Sequence, residues 1–277
     1  MSERTASRRT VLKTVGAALG VAAVPATVSA GEQWTSVESP TGNTLHDVEY
    51  TAAGAYAVGG GGVVLERTPT GWQKVIDGGP TGNGNSLYGA DVTDDDKRLW
   101  FVGSSGAIGE YDVEAGNLND RSAPMDVTNN LNDVSVTGSA GEANVYVAGD
   151  SGKMYFSFEN GEQGTWESVT PGSGSNINAV DFYDDRKGHI VDGNKSVFHT
   201  QDGATWTPAD TGDAGLRDIE VTGGGGDGLT AGGGGKVYDL SAGKWAQEAA
   251  PTGQKLKAVV RGDPDIAVGS GGTIIER

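Results

Sequence analysis

Six side chains occupy one recurring position of a repeated pattern, and their types suit them to binding an anion. They are the second residues of Leu45-His46-Asp47-Val48, Leu87-Tyr88-Gly89-Ala90, Leu131-Asn132-Asp133-Val134, Ile177-Asn178-Ala179-Val180, Leu216-Arg217-Asp218-Ile219 and Leu256-Lys257-Ala258-Val259. Each follows Leu or Ile, and each is polar. Arg217 can fork onto a carboxylate or phosphate, Lys257 adds a point charge with Lys255 two residues away, and His46 contributes when protonated. If the six segments surround one axis, their starts lie at one rim. His46, Tyr88, Asn132, Asn178, Arg217, Lys255 and Lys257 then ring the mouth of a channel, with a basic arc on the fifth, sixth and first units. Two roles are open to that ring. It binds an acidic ligand or the acidic loop of a partner protein, or it solvates the channel and pairs with the neighbouring Asp47, Asp133 and Asp218.

Catalytic constellations are harder to assemble. His46, His189 and His199 are the three histidines and there is no cysteine, so no metal-ligand spacing exists and neither a metal nor a cofactor is expected. Gly-x-Ser-x-Gly-like runs fall in hairpin turns, not on a strand-to-helix elbow. The glycine turns resemble nucleotide loops on paper, yet they lead into strands and not into helix N-termini, which argues against phosphate binding there. Asp94-Asp95-Asp96 and Asp184-Asp185 offer oxygen ligands for calcium, but they lack the spaced Asp and Gly of a dedicated loop and read as solvated acidic turns. Asn194-Lys195-Ser196 is a single glycosylation sequon.

The elements that must position the ring follow from a second repeat. About a dozen residues after each of the six segments comes an apolar strand, a glycine-rich turn and another strand, with turn copies beginning at Val58, Val102, Ala148, Val191, Ala231 and Val268. A period near 40 with several short strands per unit is the mark of propeller blades. The turns supply the positive-φ positions a tight hairpin needs. A fourth strand opens with Trp72, Trp166, Trp206 and Trp245 in four units, and Leu118 stands in for it in the second. The sixth unit stops at Arg277, one strand short, while Trp34-Thr35-Ser36-Val37 has the fourth-strand pattern ahead of the first unit. The expectation is therefore an all-β, six-bladed β-propeller of four-stranded blades, with residues 34–37 joining the C-terminal blade and the tryptophans packed between blades. Gly223–Gly226 and Gly232–Gly235 fall at turn positions of the fifth unit and read as loops, so residues 31–277 form one domain.

Residues 1–30 read as a twin-arginine signal peptide: Ser7-Arg8-Arg9-Thr10-Val11-Leu12-Lys13, an apolar stretch from Val15 to Val24 too short to span a bilayer, and Val28-Ser29-Ala30 as a cleavage site. A secreted, extracellular protein follows, without membrane insertion and expected to be a monomer. The chain carries 20 Lys+Arg against 37 Asp+Glu, a net of −17. Without the leader's Arg4, Arg8, Arg9, Lys13 and Glu3, the remainder stands at −20. Such an excess repels nucleic acid and anionic membranes, and it suits high salt, where screening shortens to about 3 Å. The composition resembles that of secreted proteins of halophilic archaea.

The stretch from Asn178 to Gly193, followed by His199-Thr200-Gln201-Asp202-Gly203-Ala204-Thr205-Trp206, resembles one repeat of the photosystem II stability/assembly factor-like propellers. Thr200 to Trp206 is similar to an Asp-box of neuraminidase repeats, one residue shorter between Asp and Trp. Elsewhere Ser157 to Trp166 and Tyr238 to Trp245 keep the Trp and a Gly but lose the Asp. The resemblance implies a binding or scaffold propeller that is not an enzyme. The shared turn also opens a second reading, a carbohydrate-active hydrolase or lyase of sialidase-like type, which requires an arginine triad and paired carboxylates. Of Arg67, Arg98, Arg121, Arg186, Arg217, Arg261 and Arg277, Arg217 alone starts a first strand, so no triad assembles from the sequence.

Overall fold

The computed structural model describes residues 33–171, 174–192, 197–209, 216–221, 227–241 and 244–277. The signal-peptide residues, the sequon and Gly223–Gly226 lie outside the described residues. Among those described, 24 strands form six four-stranded antiparallel sheets, numbered here one to six in chain order of their first strands. The first strands are Leu45–Thr51, Leu87–Val92, Leu131–Thr137, Ile177–Asp184, Leu216–Val221 and Leu256–Val260, each at one end of its sheet.

The second strands explain how the sheets stack. Ala55-Tyr56-Ala57-Val58, Leu99-Trp100-Phe101-Val102 and Val145-Tyr146-Val147-Ala148 are apolar without interruption, as strands buried on both faces must be. Side chains alternate between the two faces. Ala55 and Ala57 join a core with Ala258, Val260 and Ile266 of sheet six, while Tyr56 and Val58 join Leu87, Ala90 and Leu99 of sheet two. Further cores lie between sheets two and three, three and four, and five and six. The described sheets thus pack in the series five, six, one, two, three, four. First strands of consecutive sheets in that series touch one another.

The outer strands carry the tryptophans into these cores. Trp34, Trp72 and Trp166 are buried and Trp206 is half-buried; Trp72 also donates its indole N–H to Glu276 Oε1 at 2.8 Å. Leu118 packs against the core between sheets one and two, at the place the tryptophan pattern left to it. The segment ahead of the first unit completes sheet six: Thr35 pairs with Glu276 and Ser36 with Ile275, and the Val37 N–H reaches the Ile274 carbonyl at 3.3 Å.

The five described glycine turns are one-turn 3₁₀ segments, and their last residue has a second duty beyond its positive φ. Gly272 (φ +72°) lies so close to the loop entering sheet one that a Cβ there would stand 2.0 Å from the Thr41 carbonyl oxygen. Gly62, Gly106, Gly152 and Gly235 meet the next incoming loop in the same way. Gly272→Ala must displace backbone as well as strain φ, and it should lower stability by about 1–3 kcal/mol in urea unfolding. An unchanged unfolding midpoint would show that the loop yields freely.

The acidic turns are open to solvent, as expected, with Asp94 and Asp185 exposed, and they also join neighbouring sheets. Asp94 Oδ2 accepts the Gly138 N–H at 3.0 Å and Asp95 Oδ1 accepts the Ala140 N–H at 3.2 Å, so the second sheet's hairpin holds the third's. Asp185 Oδ1 accepts from Thr137 Oγ1 and Asn144 Nδ2 of sheet three. Such turns stand on donors fixed 40 or more residues away in the chain, where neighbouring sheets converge.

Candidate functional site

Every one of the six ring positions is a β-bulge. In sheet one Leu45 pairs with Gly59 and Asp47 with Val58, so His46 has no partner across the ladder. The same skip falls at Tyr88, Asn132, Asn178, Arg217 and Lys257. A bulge leaves its extra residue unpaired and re-aims its side chain, which is why bulges recur at binding sites.

Asp47, Asp133 and Asp218, immediately after three of these bulges, hold neighbouring sheets together. Asp47 Oδ1 accepts the Val48 N–H and its Oδ2 the Ala90 N–H of sheet two, both at 2.9 Å. Asp133 does the same for Val134 and for Val180 of sheet four, and Asp218 Oδ2 accepts the Val259 N–H of sheet six at 3.0 Å. In sheet two, where Gly89 fills that position, Asp91 takes over and accepts Val92 and Val136 N–H groups. These carboxylates, read from the sequence as possible partners of the ring, anchor the bulged strands that carry it.

The ring residues fall into two groups. Arg217, Lys255, Lys257, His46 and Tyr88 are electrostatic or ring neighbours in succession across sheets five, six, one and two. The charges of Arg217 and Lys255 both act on Lys257, whose pKa is lowered first by burial and then by those two cations. Burial first, and then the Lys257 charge, lower the His46 pKa to about 4. The His46 and Tyr88 rings meet edge to face, with centroids 5.2 Å apart. His46 is therefore neutral at pH 7, because a half-buried imidazole beside an ammonium loses more by charging than by staying neutral, and it adds to the basic arc only when protonated. Asn132 spends its amide within the scaffold, donating to the Ile177 carbonyl at 2.9 Å and to Asp150 Oδ1 at 3.1 Å. Asn178 is exposed, and no described contact joins it to the basic group.

Five arginines elsewhere are neutralised. Arg67 forks onto Glu276, Arg98 pairs with Asp112, Arg121 with Glu110 and Glu162, and Arg261 and Arg277 with Asp239 and Asp265. Two open cavities are lined by such pairs. One of about 440 Å³ holds Arg98, Asp112, Lys97 and Glu114; one of about 470 Å³ holds Arg121 and Glu162 beside Trp166 and Met125. Arg217, Lys255 and Lys257 make no ion pair among the described residues; Lys153 and Arg186 make none either, but they meet the Thr170 hydroxyl and the Phe158 ring, whereas the charges of Arg217 and Lys255 bear on Lys257. The Asp-box-like turn has a scaffold role of its own: Asp202 Oδ1 accepts the Ala204 and Thr205 N–H groups at 2.9 and 2.7 Å, and those bonds lower its pKa to about 2.

Twisted four-stranded antiparallel sheets, packed face to face in series with their first strands in mutual contact, define a β-propeller. Solved structures with this architecture include YCF48 bound to D1 peptide, which is 12% identical over 88% of this chain and 96% of that one, with a TM-score of 0.66. YCF48 from Cyanidioschyzon merolae is 15% identical over 88% and 98%, with a TM-score of 0.54, and the WD40 propeller domain of Doa1 is 11% identical over 87% and 94%, with a TM-score of 0.53. At these identities the likeness shows the fold. No family model and no curated protein matches the chain.

Proposed function

We propose that this chain is a secreted, six-bladed binding propeller that captures an acidic segment of a partner protein at the mouth formed by its six bulged positions. The packing of sheet six on sheet one and the pairing of Thr35 and Ser36 with sheet six support a closed ring. Twin-arginine export and adaptation to high salt are parts of the same reading and rest on the leader and the acidic excess. The observation that carries the function is the set Arg217, Lys255 and Lys257, three mutually repelling cations on consecutive sheets of a chain with a net charge of −17. Like charges held together with no ion-pair partner among the described residues are stabilised by an incoming anion. That YCF48 is described with a bound peptide supports a peptide ligand. Five of the seven arginines considered for a sialidase-like triad are committed to carboxylates, which weighs against the hydrolase reading.

A fluorescently labelled oligo-glutamate peptide tests the site by anisotropy. The Arg217→Ala/Lys257→Ala double variant should lose at least about tenfold in affinity, since each charge-assisted hydrogen bond contributes about 1.5–3 kcal/mol. Its melting temperature should match wild type, because both side chains sit outside the strand ladder. Equal binding by the double variant, or its unfolding, overturns the assignment.

A further inference from the structure

We infer that the mouth takes up a proton together with its anion, with His46 as the group that receives it, so that acid strengthens capture. This rests on the anion-binding reading above and adds a regulation to it. The geometry is specific. His46 stands at the bulge of the first strand of sheet one, edge to face with Tyr88 of sheet two and within the field of Lys257 of sheet six. The described titratable groups around it are Tyr88, Lys257 and Asp47, and the Asp47 carboxylate is turned to the Val48 and Ala90 N–H groups. Without a ligand, the nearby ammonium opposes a charge on the imidazole, and burial opposes it further.

An anion seated on Arg217 and Lys257 reverses the balance. It cancels the Lys257 field at the ring and offers His46 an acceptor for a second N–H. The imidazolium then becomes another cation facing the ligand. Binding and protonation are reciprocal: whatever the anion does for the proton, the proton does for the anion. Between pH 7.5 and pH 5 the free protein holds His46 largely neutral, while the bound protein charges it as its pKa returns toward 6.5, and affinity rises by about tenfold or more. The aromatic edge of Tyr88 sets which face of the imidazole is left to the ligand.

The test uses methanedisulfonate, a dianion whose own charge is constant over this range, titrated calorimetrically into the full chain at fixed ionic strength. At pH 5 to 7.5, two buffers of different ionisation enthalpy give the proton count. The expected result is tighter binding at pH 5 with net proton uptake. Whatever its affinity at pH 7.5, His46→Asn should lose the gain at pH 5, so that the ratio of its affinities at the two pH values falls to about one. The chain has three histidines, so the imidazole resonances can be followed in wild type as well, and the His46 titration midpoint should rise when the probe is added. Binding that is flat with pH, or a His46→Asn variant that keeps the acid gain, overturns proton coupling and leaves the binding site standing. No binding of the dianion at any pH overturns the site itself, and the coupling with it.

Discussion

A chain starting after residue 38 should melt about 10 °C or more below one starting at residue 31, because the excised segment carries Trp34 and the last strand of sheet six. Trp34 is 2% exposed and packs with Leu229, Ala231 and Val237 of sheet five as well as with Ile275 of sheet six. The guanidinium of Arg277 lies over its ring, 5.3 Å from the centroid. Removing a buried Trp side chain costs about 3–5 kcal/mol, and the loss of pairing to Ile275 and Glu276 adds to it. The tie from Glu276 to Arg67 and Trp72 remains, so the truncated chain should still fold. Trp34→Ala alone should reproduce most of the shift. Calorimetric midpoints that coincide for the long and short chains would remove the clasp from the account of stability.

Asp133→Leu should lower stability by about 2–6 kcal/mol, since it strands two buried N–H groups, Val134 and Val180, at about 1–3 kcal/mol each. The carboxylate is buried, as are Val134 and Val180. Asp133→Asn keeps one acceptor oxygen and should cost about half as much. The comparison separates two roles. If the Asp133 charge served the mouth cations, neutralisation by Asn would be as damaging as Leu; if it serves the backbone, Asn rescues. Urea unfolding of the three proteins decides, and equal losses for Asn and Leu would overturn the backbone role.

Much of the fold could be read from particular residues. The uninterrupted apolar second strands, the turn glycines and the outer tryptophans each report a local demand: two buried faces, a positive φ, a large side chain between sheets. Trp34-Thr35-Ser36-Val37 could be matched to the unit lacking a fourth strand because it repeats the pattern of the others. What stayed hidden depends on partners distant in sequence. Asp133 meets the Val180 N–H 47 residues on, and Arg67 meets Glu276 209 residues on, so neither pairing leaves a local trace. The polar second position was visible, but the bulge beneath it was not, because register belongs to two strands at once. His46 was legible as a ring position and not as a neutral imidazole: its charge is set by burial and by Lys257, 211 positions away in the chain.

The bulge separates recognition from architecture. A side chain with no partner across the ladder takes no part in setting register, and in three of the sheets the carboxylate one place later fastens its strand to the next sheet. Asn132, whose amide holds the Ile177 carbonyl and Asp150, belongs to the frame, and the other five positions stand outside its ladder. His, Tyr, Asn, Asn, Arg and Lys already occupy equivalent places in one molecule, each on the same backbone irregularity. If the mouth binds as proposed, a change of ligand on this scaffold needs new residues at those five positions and no new fold.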